Sequence, residues 1–472
     1  MKIDVLIGEI GSTTTIVNAF DGLDGEVPVF LGFGMADTTA GDLRLGLNSA
    51  ILDLKRRLGW EVLEYGGLLA TSSAAGGLGM TAHGLAYEMT AKAAKEAALG
   101  AGAIVKMTTA GRLTQEDLLE MSAINPNLIL LAGGTDYGDK QNALYNAQAL
   151  CASDIEAPVI YCGNIQNQSA IRNIFKQAGR KLYITENVYP QLDKLNIEPV
   201  RKIIHQAFEE HITGGMENGE LKIENENRKT LDNSGFSILN SQFKRILPTP
   251  GGVMECAGLL YELIGDLLVV DIGGATTDIH SVTAGSEEIS QIQANPEPFA
   301  KRTVEGDLGL FVNAQHLAEM IGFDQLEQEL GMEIKPIFDN YQPIPTTSEQ
   351  LALTERLAFH AAKIAISRHA GVLHHSYGPS GRKTHAIGKD LTAVRHIVFT
   401  GGITRLQGRK AIMREICGIN NSGKMLFPKQ EQLKILEDTN YIMASLGVLA
   451  KTEPKMSSLL LQKYILGMEL KA

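Results

Sequence analysis

Short apolar runs broken by glycine and hydroxyl residues open the chain. Asp4–Ile10 is mostly apolar, Gly11-Ser12-Thr13-Thr14-Thr15 interrupts it, and Ile16–Phe20 is apolar and β-branched again. The pattern predicts a hairpin with a glycine and hydroxyl tip. Apolar positions at Leu43, Leu45, Leu47, Ile51 and Leu54 predict a helix, followed by a strand at Gly67–Thr71 and a small-residue segment, Ser72–Gly79. Ala86–Leu99 is rich in Ala, Glu and Lys and stops at Gly100, which reads as a helix with its C-cap. From about Asn127 the period changes. Strand Asn127–Ala132, helix Lys140–Leu150, strand Ala157–Tyr161, helix Gln166–Gln177, strand Lys181–Thr185 and helix Glu198–His211 alternate, predicting a parallel-sheet unit. Thr213–Lys244 is polar and weakly periodic and reads as an exposed insertion or mobile loop. A second strand-turn-strand then repeats the first: Leu267–Asp271, Ile272–Asp278, Ile279–Val282. A long helix over about Ser348–His374, a loop near Tyr377–Lys383, a strand His396–Thr400 and a closing helix over about Asn440–Leu449 complete the pattern.

Composition bounds the class. A length of 472 residues suggests two to four domains, and 44% hydrophobic with 21% charged residues suits a globular chain rather than a disordered one. Lys+Arg number 43 against 54 Asp+Glu, a net charge of −11, so general attraction to nucleic acid or an anionic membrane is not expected. Any nucleotide must then be held by local backbone geometry. Cys151, Cys162, Cys256 and Cys417 are far apart with no CxxC pair, which argues against a zinc site or disulfide framework and suits a reducing cytoplasm. The N-terminus lacks a signal peptide's apolar region, and no run of 18 apolar residues predicts a membrane span.

The two hairpins carry the candidate chemistry. Each places an acid, then glycine, then hydroxyl residues: Glu9-Ile10-Gly11-Ser12-Thr13-Thr14 and Asp271-Ile272-Gly273-Gly274-Ala275-Thr276. Such turns point backbone N–H groups at an anion, and glycine permits its close approach. Either hairpin alone reads as an ordinary turn. Two of them, with a later strand ending in Gly401-Gly402, read as a clamp for a triphosphate whose flanking carboxylates serve a hydrated Mg²⁺ or orient a water. Other matches are weak. Gly77–Ala82 fits GxGxxA without the strand-to-helix turn that a dinucleotide site needs. His369, His374 and His375 have no acid or cysteine at ligand spacing, and neither Gly388-Lys389 nor Gly423-Lys424 belongs to a P-loop. Glu305-Gly306-Asp307 reads as a helix start with an acidic first turn. Lys301 and Arg302 read either as ligands of phosphate or adenine or as solvated charge.

These residues resemble the actin/hexokinase/heat-shock-chaperone ATPase superfamily. In that likeness Glu9–Thr15 is phosphate hairpin one, Val253–Leu263 a connecting helix, Asp271–Asp278 hairpin two, Val398–Gly402 the adenosine loop and Tyr441–Leu449 a second connecting helix. Three blocks narrow it to the accessory-protein family of glutamate mutase and related adenosylcobalamin-dependent mutases and aminomutases. They are Ser72–Met80, Leu130–Asp136 with its Gly133-Gly134-Thr135-Asp136 turn, and Arg302–Gly309. The resemblance implies an α/β fold of two actin-like, ribonuclease H-like lobes with an additional parallel αβ subdomain. It divides the chain into 1–125, an inserted unit 126–212, the polar stretch 213–245, and 246–472. It implies ATP and Mg²⁺ as cofactors, with Asp271 and Glu9 as catalytic carboxylates serving the metal through water. Gly11, Ser12, Thr13, Thr14, Gly273, Gly274, Ala275, Thr276, Glu305, Gly306, Asp307, Gly401 and Gly402 are its nucleotide contacts. The partner it implies is a mutase or aminomutase; a homo-oligomer is left open. Glu9 departs from the Asp usual in hairpin one, so slow hydrolysis, or binding without turnover, becomes credible. The DxHxxG corrin pattern is absent, so the partner would supply the cobalamin. Alternatives are a small-molecule kinase on the same fold and a non-hydrolysing scaffold.

Overall fold

The two hairpins that match in sequence also match in topology. In a computed structural model the described residues are 1–11, 14–25, 27–39, 43–73, 78–217, 245–378, 381–420, 423 and 425–469. The polar stretch expected at 213–245 falls almost wholly outside them. The chain begins with strands β1 (Lys2–Ile10), β2 (Thr14–Asp21), β3 (Val29–Asp37) and β4 (Glu64–Ser72). It then builds a separate, all-parallel sheet from β5 (Gly79–Gly84), β6 (Ile104–Ala110), β7 (Leu128–Leu131), β8 (Val159–Tyr161) and β9 (Leu182–Ile184). It returns at β10 (Arg245–Pro248), which pairs with β4 and completes the first sheet in the order β10-β4-β1-β2-β3. The second lobe uses β11 (Leu267–Ile272), β12 (Thr277–Val282) and β13 (Ala300–Glu305). A two-stranded ribbon follows, β14 (Val372–Gly378) with β15 (Gly381–Ile387), and then β16 (His396–Gly401) and β17 (Lys434–Glu437). Its sheet order, β13-β12-β11-β16-β17, repeats the first.

Directions and register repeat as well. β1 pairs antiparallel with β2 and parallel with β4; β11 pairs antiparallel with β12 and parallel with β16. Glu9 faces Ile16 and Thr71 where Asp271 faces Asp278 and Thr400. This is the ribonuclease H-like topology of an actin-like lobe, present twice.

Alternation along the strands sets the layers. Val5 and Ile7 of β1 face a central core together with Val269 of β11, while Leu6 turns to an outer core with Leu47, Ile51 and Leu54. In the second lobe Val270 and Ile272 face the outer core formed with the helix Ser348–His369. The central core is filled by two helices, Thr249–Ile264 after β10 and Met443–Leu449 after β17. They cross at glycines: a Cβ on Gly447 would lie 1.8 Å from the Gly252 carbonyl, and one on Gly252 2.8 Å from that of Ala444. The central core therefore belongs to both lobes.

The third sheet has the order β6-β5-β7-β8-β9, a doubly wound arrangement with helices on both faces. Its first two strands lie within Gly79–Ala110, N-terminal to the βαβ alternation read from the sequence. The helix Lys92–Gly100 packs this sheet against β13 of the second lobe, with Ala93, Ala94, Ala97 and Ala98 all buried. Of the loop expected at Tyr377–Lys383, Tyr377, Gly378 and Gly381–Lys383 belong instead to the β14–β15 ribbon, and residues 379 and 380 lie outside the described residues. The long helix ends at His369, where Gly371 packs against Gly388 too closely for any side chain. Among the described residues no helix is long and apolar enough to cross a membrane.

Candidate functional site

Both hairpin tips close in the same way. The Gly11 N–H donates to the Thr14 carbonyl at 3.0 Å, and the Gly273 N–H to the Thr276 carbonyl at 2.9 Å. Ser12 and Thr13 lie outside the described residues, so only the ends of the first turn are seen. The second turn is held from behind. Leu310 donates its N–H to the Gly273 carbonyl at 3.1 Å, and Phe311 and Val312 donate to that of Gly274 at 2.8 and 2.9 Å. The Asn313 amide donates to the Ala275 carbonyl at 3.2 Å. With the carbonyls so engaged, the N–H groups of Gly274 and Ala275 have no acceptor among the described residues, which leaves a small anion cradle. The Thr276 hydroxyl is turned back to the Asp278 carboxylate at 2.9 Å.

Glu9 at the end of β1 and Asp271 at the end of β11 face one cleft between the lobes, lined also by Val253, Thr400, Asp438, Tyr441, Met443 and Ala444. Burial, reinforced by the charges of Asp271 and Asp438, pushes the Glu9 carboxyl up to about 8, against a hydrogen bond from Tyr441 and the charge of Arg405. Burial together with Asp278 and Asp438 pushes Asp271 up to about 7, against Arg302. A cation between the lobes would return both to the ionised form.

Asp438 and Tyr441, which the motif reading did not single out, complete the cleft. Asp438 accepts from the Thr400 hydroxyl at 3.0 Å and from the backbone N–H groups of Ile442 and Met443 at 3.0 and 2.9 Å, so it caps the helix Met443–Leu449. Tyr441 sits at φ 54°, an uncommon value for a residue with a side chain, beneath the Arg405 guanidinium 5.5 Å from its ring centre. An acid between an apolar strand and a helix is a capping signal, and it is the one feature of the sequence that points to Asp438. Gly401 has φ +82° and packs so near Asp271 that a Cβ would lie 2.4 Å from its Oδ1. Gly402 begins a short 3₁₀ turn, Gly402–Arg405.

The structure thus gathers Glu9, Gly11, Thr14, Asp271, Gly273, Gly274, Ala275, Thr276, Gly401 and Gly402 around the two hairpin ends. Glu305, Gly306 and Asp307 lie where β13 ends beside Thr277. Both acids are engaged by Arg368, at 2.5 Å for Glu305 and 2.9 Å for Asp307. The Gly306 carbonyl accepts from Asn313 at 2.6 Å. Lys301 and Arg302 are neither solvated nor turned to the cleft: Lys301 pairs with Glu297 at 2.6 Å and Arg302 with Asp278 at 2.6 Å, both buried. His369 is buried between Thr303 and Ser281. The Gly133–Asp136 turn is tied to its own sheet through Asn187, which donates to the Gly134 carbonyl and to Asp136.

Among the described residues no three or more His, Cys, Asp or Glu converge as direct metal ligands. The buried carboxylates fit a cation held through water, as Mg²⁺ often is, and the cradle at Gly274 and Ala275 fits a phosphate. The cleft measures about 10 Å³, room for about one water and far below the roughly 300–1,000 Å³ of a small-molecule pocket. A whole nucleotide therefore requires the lobes to separate.

The sequence profile of a family described as MutL protein matches residues 5–465. Protein MutL of Clostridium tetanomorphum is 35% identical over 477 residues, spanning 98% of each chain. Two solved structures align more distantly. Nucleotide-free acetone carboxylase is 14% identical with a TM-score of 0.38 over 95% of this chain and 70% of its own. Ethanolamine utilization protein EutJ from Carboxydothermus hydrogenoformans is 12% identical with a TM-score of 0.28 over 94% and 88%.

Proposed function

We propose a function from one premise: the chain belongs to the MutL family of mutase accessory proteins. In this reading it binds Mg²⁺-ATP between its lobes and acts in the cytoplasm on an adenosylcobalamin-dependent mutase or aminomutase, as an accessory or reactivating factor. The observation that supports nucleotide binding is the pairing of Glu9 and Asp271, two carboxylates from different lobes on one cleft, each next to a turn closed by a glycine N–H on a threonine carbonyl. When bound, Mg²⁺-ATP would supply a hydrated divalent cation and phosphates that bridge both turns. Beside that cation Asp271 is ionised and accepts a hydrogen bond from an attacking water, with Glu9 as its weaker counterpart. The N–H groups of Gly274 and Ala275 hold phosphate oxygens, as do the hydroxyl residues of the first turn, where Gly11 permits close approach while its own N–H closes the turn on Thr14. Gly401 and Gly402 keep the backbone slim beside the adenosine. Loss of the terminal phosphate would free the two turns, and the resulting change in lobe position would be what the mutase feels.

Steady-state phosphate release from Mg²⁺-ATP tests the reading. Asp271→Asn is expected to lower turnover on the order of 10²–10⁴-fold while circular dichroism stays unchanged. Unaltered release would overturn the assignment. The small cleft favours one second reading, a scaffold that engages the mutase without turnover. Absence of heat on titrating Mg²⁺-ATP would select it.

A further inference from the structure

Arg302 is the largest fully buried side chain among the described residues, and it joins two parts of the molecule. On one side its Nε and Nη2 donate to Asp278 Oδ1 at 2.8 and 2.6 Å. The other oxygen of that carboxylate accepts from the Thr276 hydroxyl of the second phosphate turn at 2.9 Å. On the other side Nη1 donates to the carbonyls of Leu99 and Ala103 at 3.1 and 2.9 Å. These carbonyls lie at the end of the helix Lys92–Gly100 and just before β6 of the third sheet. A helix C-terminus favours a cation there, and the rigid guanidinium fork lets one side chain engage the acid and the carbonyls together.

Polar bonds along the same contact tie the third-sheet unit to the second lobe. Lys92 pairs with Glu297 at 2.8 Å, and Arg201 donates to the Ala300 carbonyl at 3.2 Å. By chain connectivity, however, the same unit leaves the first lobe after β4 and returns to it at β10. It is thus tied to both lobes, on the first through Ala70, Ile246 and the Arg245–Glu209 pair at 3.8 Å, so separation of the lobes must be taken up within it or at one of these contacts.

We propose that Arg302 is a positioning residue that couples the second phosphate turn to the third-sheet unit, through the chain Thr276, Asp278, Arg302 and the carbonyls of Leu99 and Ala103. The proposal rests on the nucleotide reading above and names its regulation. A phosphate that recruits the Thr276 hydroxyl breaks that hydroxyl's bond to Asp278, and the freed carboxylate shifts the guanidinium against the helix end. The coupling is reciprocal: a partner that displaces the third-sheet unit must change nucleotide affinity by the same factor.

Amide hydrogen exchange on the full chain tests it, with Mg²⁺-ATP and Mg²⁺-ADP as probes. In the wild type, ATP is expected to slow exchange in residues 273–277 and also in residues 99–110, by about threefold or more. Arg302→Met strands the Asp278 carboxylate, so the double variant Arg302→Met/Asp278→Asn is used beside it; the introduced amide's carbonyl oxygen can still accept from Thr276. In both variants the response at 273–277 is expected to persist while the response at 99–110 is lost. A response at 99–110 equal to the wild type would overturn the coupling. If ATP alters neither hairpin in the wild type, the nucleotide reading fails, and exchange without nucleotide decides the coupling. Arg302→Met must then speed exchange at 273–277 and leave 14–16 unchanged; equal change at both, or at neither, overturns it.

Discussion

The two lobes share strand order, direction and register, yet differ at the positions that face the cleft. Glu9 corresponds to Asp271, Ile16 to Asp278 and Thr71 to Thr400. Leu247 in β10 stands where Asp438 follows β17, by the pairings of β10 with β4 and of β17 with β16. The second lobe therefore carries a polar set of Asp271, Asp278, Thr400 and Asp438, where the first has Glu9 and Thr71 beside the apolar Ile16 and Leu247. One scaffold is stable with either set, so the polar set is not required by the fold. Its excess in the second lobe marks where chemistry is concentrated, and Glu9 is the single carboxylate that the first lobe adds.

The largest expected effects come from making the lobes alike. Asp271→Asn removes the second lobe's share of the acid pair and is expected to cost more turnover than Glu9→Gln, measured as phosphate release under saturating Mg²⁺-ATP. Equal losses would mean that the lobes contribute symmetrically. Asp438→Leu copies Leu247 into the second lobe. It leaves the N–H groups of Ile442 and Met443 and the Thr400 hydroxyl without their acceptor. A loss of about 3 kcal/mol is expected, read from the denaturant midpoint, and a loss below about 1 kcal/mol would show that water replaces the carboxylate.

The acid pair also predicts a pH dependence of known sign. Glu9 and Asp271 titrate near 8 and 7 in the fold, above the ordinary carboxylate range, so the folded state holds protons that the unfolded chain releases from about pH 4 upward. Without nucleotide, the contribution of these two groups to stability is full below the unfolded values. It is lost as pH rises toward the folded ones, and is flat above about 8. Between pH 5 and 8.5 the unfolding free energy from denaturant titration is expected to fall more for the wild type than for Glu9→Gln, by on the order of 3–4 kcal/mol. Mg²⁺-ATP should flatten the difference, and identical pH slopes in the two proteins would contradict the buried pair.

Much of this asymmetric frame was legible in the sequence because its signals are local. Acid, glycine and hydroxyl residues between two apolar runs specify a hairpin, and they placed Glu9 and Asp271 correctly at the ends of β1 and β11. The alternation from Asn127 likewise gave the last three strands of the third sheet. Gly79–Gly84 was not legible as β5: all six of its residues are buried, so it shows neither apolar alternation nor a β-branched run. Asp438, Tyr441 and Arg302 escaped for another reason. Their roles come from contacts across long sequence separations, such as the bond from Thr400 to Asp438 and that from Arg302 to Leu99. A basic residue beside a strand reads as solvated until the opposing element is known to bury it.

The smallest predicted effect is the sharpest test of the comparison, because it uses one substitution at two corresponding positions. The Thr400 hydroxyl donates to Asp438, whereas the Thr71 hydroxyl is buried with no partner among the described residues, since Leu247 offers no acceptor. Valine has the shape of threonine without the hydroxyl. At position 400 the exchange leaves a buried carboxylate oxygen one bond short and is expected to cost about 1.5–3 kcal/mol. At position 71 it removes a polar atom whose burial nothing offsets, and stability should stay within about 0.5 kcal/mol of the wild type or rise slightly. Chemical denaturation of Thr71→Val and Thr400→Val side by side reads the difference. Equal costs would mean that Thr71 has found a partner of its own, and that the first lobe is less apolar around its acid than its sequence and packing indicate.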